Sequence, residues 1–240
     1  MLDQRHTTSD VPDMSSPAIA ASPSLRREDT VPVALLLAFA GGYLDAYTWI
    51  IHGVMANAQT ANLVLLAVYG AAGKWGESLH FVPPILAFAV GVLIATSLRE
   101  AAGRHASTIS MLIEILLLVV IGVLHNRLPD LAGTLGISFV AAMQTVVFTH
   151  VEGVAYSSVM ITGNMRQAIE GVFLALSSGG PLGTLRRSGI FSALCITFGF
   201  GAAVGAVATE GIPELALCIP VIALMIVLMR CKVYSNEASA

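Results

Sequence analysis

The residues with the most capacity for chemistry occur in pairs. Asp45 lies about two-thirds along a first apolar helix, in Gly42-Tyr43-Leu44-Asp45-Ala46, and Gln144 occupies the matching place in Ala142-Met143-Gln144. Each is followed by a polar turn that restarts an apolar run: Thr60-Ala61-Asn62-Leu63 first, then Thr162-Gly163-Asn164-Met165. An ionisable group at membrane depth is costly unless it faces a cavity or a partner. Asp45 therefore reads as a substrate, cation or proton site, or as an Asp that bonds neighbouring donors and glues two halves of the chain together. Thr60 and Thr162 are expected to cap the restarted helices by accepting backbone amide hydrogens. Asn62 and Asn164 exceed that need, and a helix start at membrane depth presents amides and a dipole that favour an anion. Asp45, Thr60, Asn62, Gln144, Thr162 and Asn164 form the expected substrate-binding set, with no catalytic residue, no metal ligand and no cofactor.

The rest of the chain is lipid-grade. Its 240 residues are 56% hydrophobic and 11% charged, with a mean hydropathy of +0.81. A soluble domain carries about 25% charged residues, so the deficit is too large for a water-facing surface. Apolar stretches are long enough to cross a hydrocarbon core, which takes about 20 residues as helix. The fold class is all-α, a polytopic transmembrane helical bundle. A net charge of -3 without a basic patch gives no reason to expect nucleic acid. Cys195, Cys218 and Cys231 lie in or beside apolar segments without CxxC spacing, which supports neither a disulfide framework nor zinc.

Apolar segments run over about 31–51, 59–73, 81–99, 108–125, 131–149, 158–177, 189–209 and 213–229. The first four and the last four form two related halves. The third pair matches as well, Phe88-Ala-Val-Gly91 opposite Phe198-Gly-Phe-Gly201. The division is a disordered cytoplasmic tail over 1–29, a first membrane repeat over 30–127, a second over 128–230, and a short cytoplasmic tail over 231–240. Pro83 and Pro84 suit a helix's first turn, and Pro220 should kink the last helix.

Segments two and six are short or polar. From Thr60 to Ala72 the helix is about 20 Å long, and segment six carries Arg166, Gln167 and Glu170. Eight full spans give a parallel repeat; six spans plus two re-entrant segments give an inverted one. Counting Lys and Arg separates neither, since both models score eight against two. Both put the two termini in the cytoplasm. Short length tips the reading toward six spans with broken or re-entrant segments at the Thr-x-Asn turns.

Other polar residues have plainer uses. Glu114 is a proton-carrying group or a partner for Arg166, with the pairing favoured. Arg166 and Glu170 are spaced as an i,i+4 pair. His52 and His150 close the first helices of the halves and read as solvated helix ends. Ala38, Gly41, Gly42, Asp45, Trp49 and His52 share one helical stripe. Gly201-Ala-Ala-Val-Gly205 is a GxxxG packing device. No GxSxG elbow, Walker loop or Rossmann fingerprint is present, which counts against an ATPase or a serine hydrolase. Segments one and five, with their small and polar stripes, are expected to face the protein interior, and segments four and eight to lie nearer the lipid.

At these residues the chain resembles the YoaK family of uncharacterised bacterial membrane proteins, a domain-of-unknown-function group. Gly42-Tyr43-Leu44-Asp45-Ala46 and Thr60-Ala61-Asn62-Leu63-Val64 match its first-helix stretch and following turn, with Ala61 in place of the usual glycine. Gln144 and Thr162-Gly163-Asn164 match in the second half. The resemblance covers about residues 31 to 230. It implies an integral inner-membrane protein and supplies no substrate.

Together these readings give a multi-pass protein of the bacterial plasma membrane, a transporter- or permease-like protein for a small solute or ion, and not an enzyme. Its partners are the lipid bilayer and that solute, with no nucleic acid; a homo-oligomer is left open. The alternative is a non-transporting scaffold or assembly protein whose intramembrane polar residues are structural.

Overall fold

A computed structural model describes residues 27–124, 127–178 and 182–237; the tail over 1–26 lies outside the described residues. After a 3-10 turn at Arg27–Asp29 come helices α1 (Val31–His52), α2 (Gln59–Ala71), α3 (Trp75–Leu79) and α4 (Val82–Ala102), a second 3-10 turn at Gly103–His105, then α5 (Ala106–Leu124) and α6 (Asp130–Val147). A two-stranded hairpin, β1 (His150–Val151) and β2 (Val154–Ala155), precedes α7 (Ile161–Ser178), α8 (Leu182–Gly211) and α9 (Cys218–Glu237). Helix α9 runs past residue 230 into the stretch read as a tail. Val31–His52, Trp75–Leu124 and Gly183–Gly211 are long and apolar enough to cross a membrane, and Gln59–Ala71, Leu131–Val147 and Cys218–Cys231 are shorter apolar helices. The architecture is all-α and membrane-like.

Local chemistry sets the ends of α1. Pro32 lies in its first turn, where a missing amide costs nothing, and Gly53 closes it at φ 66°, the left-handed conformation that glycine tolerates. The Gly53 amide donates to the Trp49 carbonyl at 2.9 Å. This geometry ends α1 at the polar break before α2.

Contacts at the helix ends fix the direction of each element. At one end, Ser107 donates to Glu28 at 3.1 Å, Arg99 donates to the Val146 carbonyl at 3.3 Å, and the Glu152 amide donates to the Asp29 carbonyl at 2.7 Å. Arg186 pairs with Glu152 there, and α9 packs on the 27–29 turn. At the opposite end, the His80 Nε2 and the His52 carbonyl are 2.6 Å apart, and the His52 ring lies against Gly133. Helix α1 therefore runs from the Glu28 end to the His52 end, and α6 runs the other way. The start and the finish of the described chain share the Glu28 end.

Helices α2 and α7 do not connect the two ends. The Asn57 side chain donates to the Gly41 carbonyl at 2.7 Å, and Gly41 lies about 16 Å back along α1 from His52. The 53–58 loop thus doubles back to the middle of α1, and α2 returns to the end it came from, where α3 and α4 begin. The stretch before α7 does the same from the other end. The 156–160 loop brings the Ser158 carbonyl to the same Gly41, 2.9 Å from where a Cβ would stand. Helix α7 then leads back to the Glu28 end, where Arg187 meets Gln167 at 2.8 Å at the start of α8.

Helix α1 packs along α8, and α4 along α6, by close approach of backbones. A Cβ on Gly42 would collide with the Phe198 carbonyl, and one on Gly201 with the Phe39 carbonyl. A Cβ on Gly91 would stand 2.7 Å from the Phe139 carbonyl, and one on Gly205 2.7 Å from the Tyr43 carbonyl. The small-residue stripes are packing devices. Helices α1 and α6 are interior, as their buried runs Ala40–Leu44 and Val140–Gln144 indicate.

The expectation that segments four and eight lie nearer the lipid is corrected. Their helices α5 and α9 supply Met111, Leu118, Leu224 and Val227 to the main core beside Leu37 and Leu44. Helix α2, by contrast, buries only Asn62, and α4 only Pro84, Gly91 and Ala95. Residue types alone misled here, because Leu, Ile and Val suit a protein core and acyl chains equally.

Candidate functional site

Asn62 and Asn164 make the same clasp. Asn62 accepts the Met55 amide at 3.1 Å and donates to the Met55 carbonyl at 2.7 Å. Asn164 accepts the Ser157 amide at 3.2 Å and donates to the Ser157 carbonyl at 2.5 Å. Each reaches back seven residues and satisfies both polar groups of one residue's backbone. A buried loop has no water for its backbone, so such a side chain is what lets the chain turn there. Asn62 also donates to Gln59 at 2.9 Å, and Gln59 donates to the Ala56 carbonyl at 2.6 Å.

These clasps carry the two loops to a single turn of α1. Asp45 accepts the Asn57 amide at 2.8 Å, while the Asn57 side chain holds the Gly41 carbonyl. From α6, the Gln144 side chain donates to the Leu37 carbonyl at 3.2 Å. Leu37, Gly41 and Asp45 are spaced four apart and lie on one line of α1. Gln144, Asn57 and Ser158 thus converge on that line from three other segments. Each retains a buried oxygen without a hydrogen-bond partner: Gln144 Oε1, Asn57 Oδ1 and Ser158 Oγ. Buried polar atoms are nearly always paired, and leaving one unpaired costs about 1–3 kcal/mol. Gln144 meets this line at Leu37, Asn57 and Ser158 meet it at Gly41, and the Asp45 carboxylate stands one turn beyond, so these polar groups spread along about 12 Å of α1.

The anion expected at the first helix start is supplied by the chain itself. The Asp45 carboxylate already accepts the Asn57 amide ahead of α2. Ahead of α7 the Ser157 hydroxyl does similar work, accepting the Met160 amide at 2.9 Å. Thr60 and Thr162 are not caps. Each is the second residue of its helix and exposed, and α2 has no side-chain cap. Asn clasps and Gln59 do the work assigned to the threonines. Of the six expected site residues, Asp45, Asn62, Gln144 and Asn164 line the convergence or build it, while Thr60 and Thr162 point outward.

Asn57, Ser157 and Ser158 were not among the expected residues. Their signal was present as polar residues in the breaks themselves, Met55-Ala56-Asn57-Ala58-Gln59 and Tyr156-Ser157-Ser158, upstream of the Thr-x-Asn turns. Trp49 departs from the expected α1 stripe, being 48% exposed. Arg166 bonds Glu170 at 3.1 Å on an exposed face and does not meet Glu114, which is fully buried. Among the described residues no group of three His, Cys, Asp or Glu could hold a metal ion.

Two apolar grooves of about 560 and 490 Å³ open on the surface, one along Ala203, Val207 and Ile219, the other along Leu86, Val90 and Phe139. Neither is lined by any of the six expected residues. No curated protein and no solved structure matches the chain. A family model described as "Protein of unknown function (DUF1275)" matches residues 33–230. That match spans most of the chain and includes both clasps and the turn of α1 on which they converge; the chain belongs to the DUF1275 family, the same family as YoaK.

Proposed function

We propose that this protein is a secondary transporter of the plasma membrane for a small solute bearing hydrogen-bond donors or positive charge. The observation that carries the reading is the convergence of both doubled-back loops on the Leu37–Asp45 line of α1. Three residues that meet that line each have a buried oxygen without a partner, and the Asp45 carboxylate stands at one end of it. Broken helices meeting near mid-membrane between repeats are where transporters commonly hold substrate. The two unpaired amide oxygens can only accept, and the Ser158 hydroxyl can accept or donate; beside the Asp45 carboxylate this favours a cationic, amine- or hydroxyl-bearing ligand over an anion.

The membrane arrangement follows in the same reading. Helices α1, α4, α5, α6, α8 and α9 span, and α2 and α7 are re-entrant, so the chain consists of two inverted halves of three spans each. Supporting this, α1 and α6 run in opposite directions, and the Asn62 and Asn164 clasps recur with the same seven-residue reach. Arg27, Arg99, Arg104, Arg186, Arg187, Arg230 and Lys232 then fall at the Glu28 end, against Lys74 and Arg127 at the other. The positive-inside rule assigns the Glu28 end and both termini to the cytoplasm.

The test is thermal-shift screening of the purified protein with small amines, polyols and monovalent cations, followed by flux of any hit into liposomes. Binding that vanishes in both Asp45→Asn and Gln144→Met supports the site. Hits that bind both variants as they bind wild type overturn it.

A second reading has its own observation. Asp45, Asn62, Gln144 and Asn164 all bond backbone groups of the chain itself, as side chains that lock helices would. A scaffold or assembly role predicts that these variants lose stability and that no solute crosses the membrane.

A further inference from the structure

A second buried polar line lies on α5, away from the convergence on α1. Ser107, Ser110 and Glu114 are spaced three and four apart and share one helix face. Ser110 and Glu114 are fully buried, and Ser107 is 5% exposed. Neither oxygen of Glu114 nor the Ser110 hydroxyl has a hydrogen-bond partner. Ser107 donates to Glu28 at 3.1 Å, where the chain enters α1. The line therefore begins at a partly exposed carboxylate at the Glu28 end and stops about 10 Å further in, at a buried one.

The surroundings of Glu114 offer no countercharge. Helices α4, α6 and α9 and the turn Gly103–His105 pack on α5. In α4 the titratable residues are Arg99 and Glu100, near its end; in the turn they are Arg104 and His105. Helix α6 has none over 131–147, and α9 none between Cys218 and Arg230, with Cys231, Lys232, Tyr234 and Glu237 beyond. An ionised carboxylate without partner or donor is untenable in such a place, whereas a carboxylic acid is not.

We propose that Glu114 is a proton-binding site inside the bilayer, loaded from the Glu28 end through the hydroxyls of Ser107 and Ser110. A hydronium at that end gives up one proton. Ser110 bonds neither Ser107 nor Glu114 in this arrangement; as i,i+3 and i,i+4 neighbours on one helix face they come into reach when their side chains turn toward each other. Each hydroxyl then accepts a proton on its oxygen and passes on its own, and the last proton rests on a Glu114 oxygen, leaving one water behind. The proposal rests on the transport reading and deepens it: the coupling ion is the proton, and its site is separate from the solute site at Asp45.

The test reads proton occupancy rather than solute movement, so the two readings fail separately. Infrared spectra of the full-length protein in liposomes should contain a protonated-carboxyl band at neutral pH. That band should shift when glutamate carries a ¹³C carboxyl, persist in Asp45→Asn, and vanish in Glu114→Gln. In heavy water, hydrogen–deuterium exchange at this band should slow by about tenfold in Ser110→Ala, the size of one lost hydrogen-bonded step. A band that ignores ¹³C-glutamate in the unmutated protein overturns the site, whether or not Glu114→Gln folds. Unchanged exchange in both Ser107→Ala and Ser110→Ala overturns the route. A titrating Glu114 in a protein that moves no solute leaves the site standing and removes the transport reading.

Discussion

Asp45 takes the backbone amide of Asn57 at 2.8 Å across twelve residues, so the carboxylate fixes the loop that doubles back along its own helix. Asn57 is 2% exposed, and its amide has no water to turn to. Asp45→Ala should cost about 1–3 kcal/mol by stranding that donor. Asp45→Asn keeps an oxygen in place and should cost less than about 1 kcal/mol, because an amide oxygen accepts more weakly than a carboxylate. Thermal unfolding in detergent separates the two variants. Equal losses would mean that the charge, and not the acceptor, holds the loop.

The two clasps should be equivalent in energy. Asn62→Ala and Asn164→Ala each remove two hydrogen bonds to one residue's backbone and leave that backbone buried and unpaired. A loss of about 2 kcal/mol is expected for either, at roughly 1 kcal/mol per bond. Asn164→Asp should be no better than alanine, since it sets a carboxylate against the Ser157 carbonyl that now receives a hydrogen at 2.5 Å. Thr162→Ala, at an exposed second helical position, should stay within about 0.5 kcal/mol of wild type. A Thr162→Ala loss as large as that of Asn164→Ala would restore the capping role to the threonine.

Much of this was legible in the sequence, for physical reasons. Asp45 and Asn62 stand out because lipid-grade sequence tolerates so few polar groups, and a polar group there must have a use. The glycines facing Phe39, Tyr43 and Phe198 announced close packing by their spacing. What Asn62 binds was not legible. A clasp reaching seven residues back depends on the loop's path, and helical periodicity carries no information about loops. For the same reason Thr60 is not the cap its type suggests, and Gln59 and Asn57 do that work: the helix begins two residues earlier than a cap at Thr60 requires. Glu114 and Arg166 looked complementary by charge, yet α5 and α7 are not neighbours, and only the three-dimensional helix order could separate them.

Chain direction yields a labelling experiment. With Cys195, Cys218 and Cys231 replaced by serine, single cysteines at Lys74 and Arg99 should react with a membrane-impermeant maleimide from opposite sides of a sealed vesicle. Arg99 should share its side with the N-terminal tail, because its side chain reaches the Val146 carbonyl at the end that holds Asp29 and Glu152. Eight full spans would reverse the assignment, putting Lys74 with the tail. Labelling of Lys74→Cys from the tail's side removes the re-entrant reading of α2, and with it the inverted relation between the halves.

Helices α1 and α8 approach backbone to backbone at Gly42 and Gly201, beside the residues that form the candidate site. A methyl group on Gly42 would collide with the Phe198 carbonyl, and one on Gly201 with the Phe39 carbonyl. Both obstacles are backbone, which cannot rotate away as a side chain does, so the helices must separate. Separation along α1 would also draw the Leu37–Gly41–Asp45 line away from Gln144, which holds the Leu37 carbonyl at 3.2 Å. Gly42→Ala and Gly201→Ala should each lose about 3 kcal/mol, the upper range for overpacking a close contact, and weaken any ligand bound at Asp45. Gly199→Ala is the control on the same helix: nothing lies within 4 Å of its added methyl, and alanine is the better helix former by about 1 kcal/mol. It should be neutral or slightly stabilising. A Gly42→Ala protein that unfolds at the wild-type temperature would show that α1 and α8 do not meet backbone to backbone.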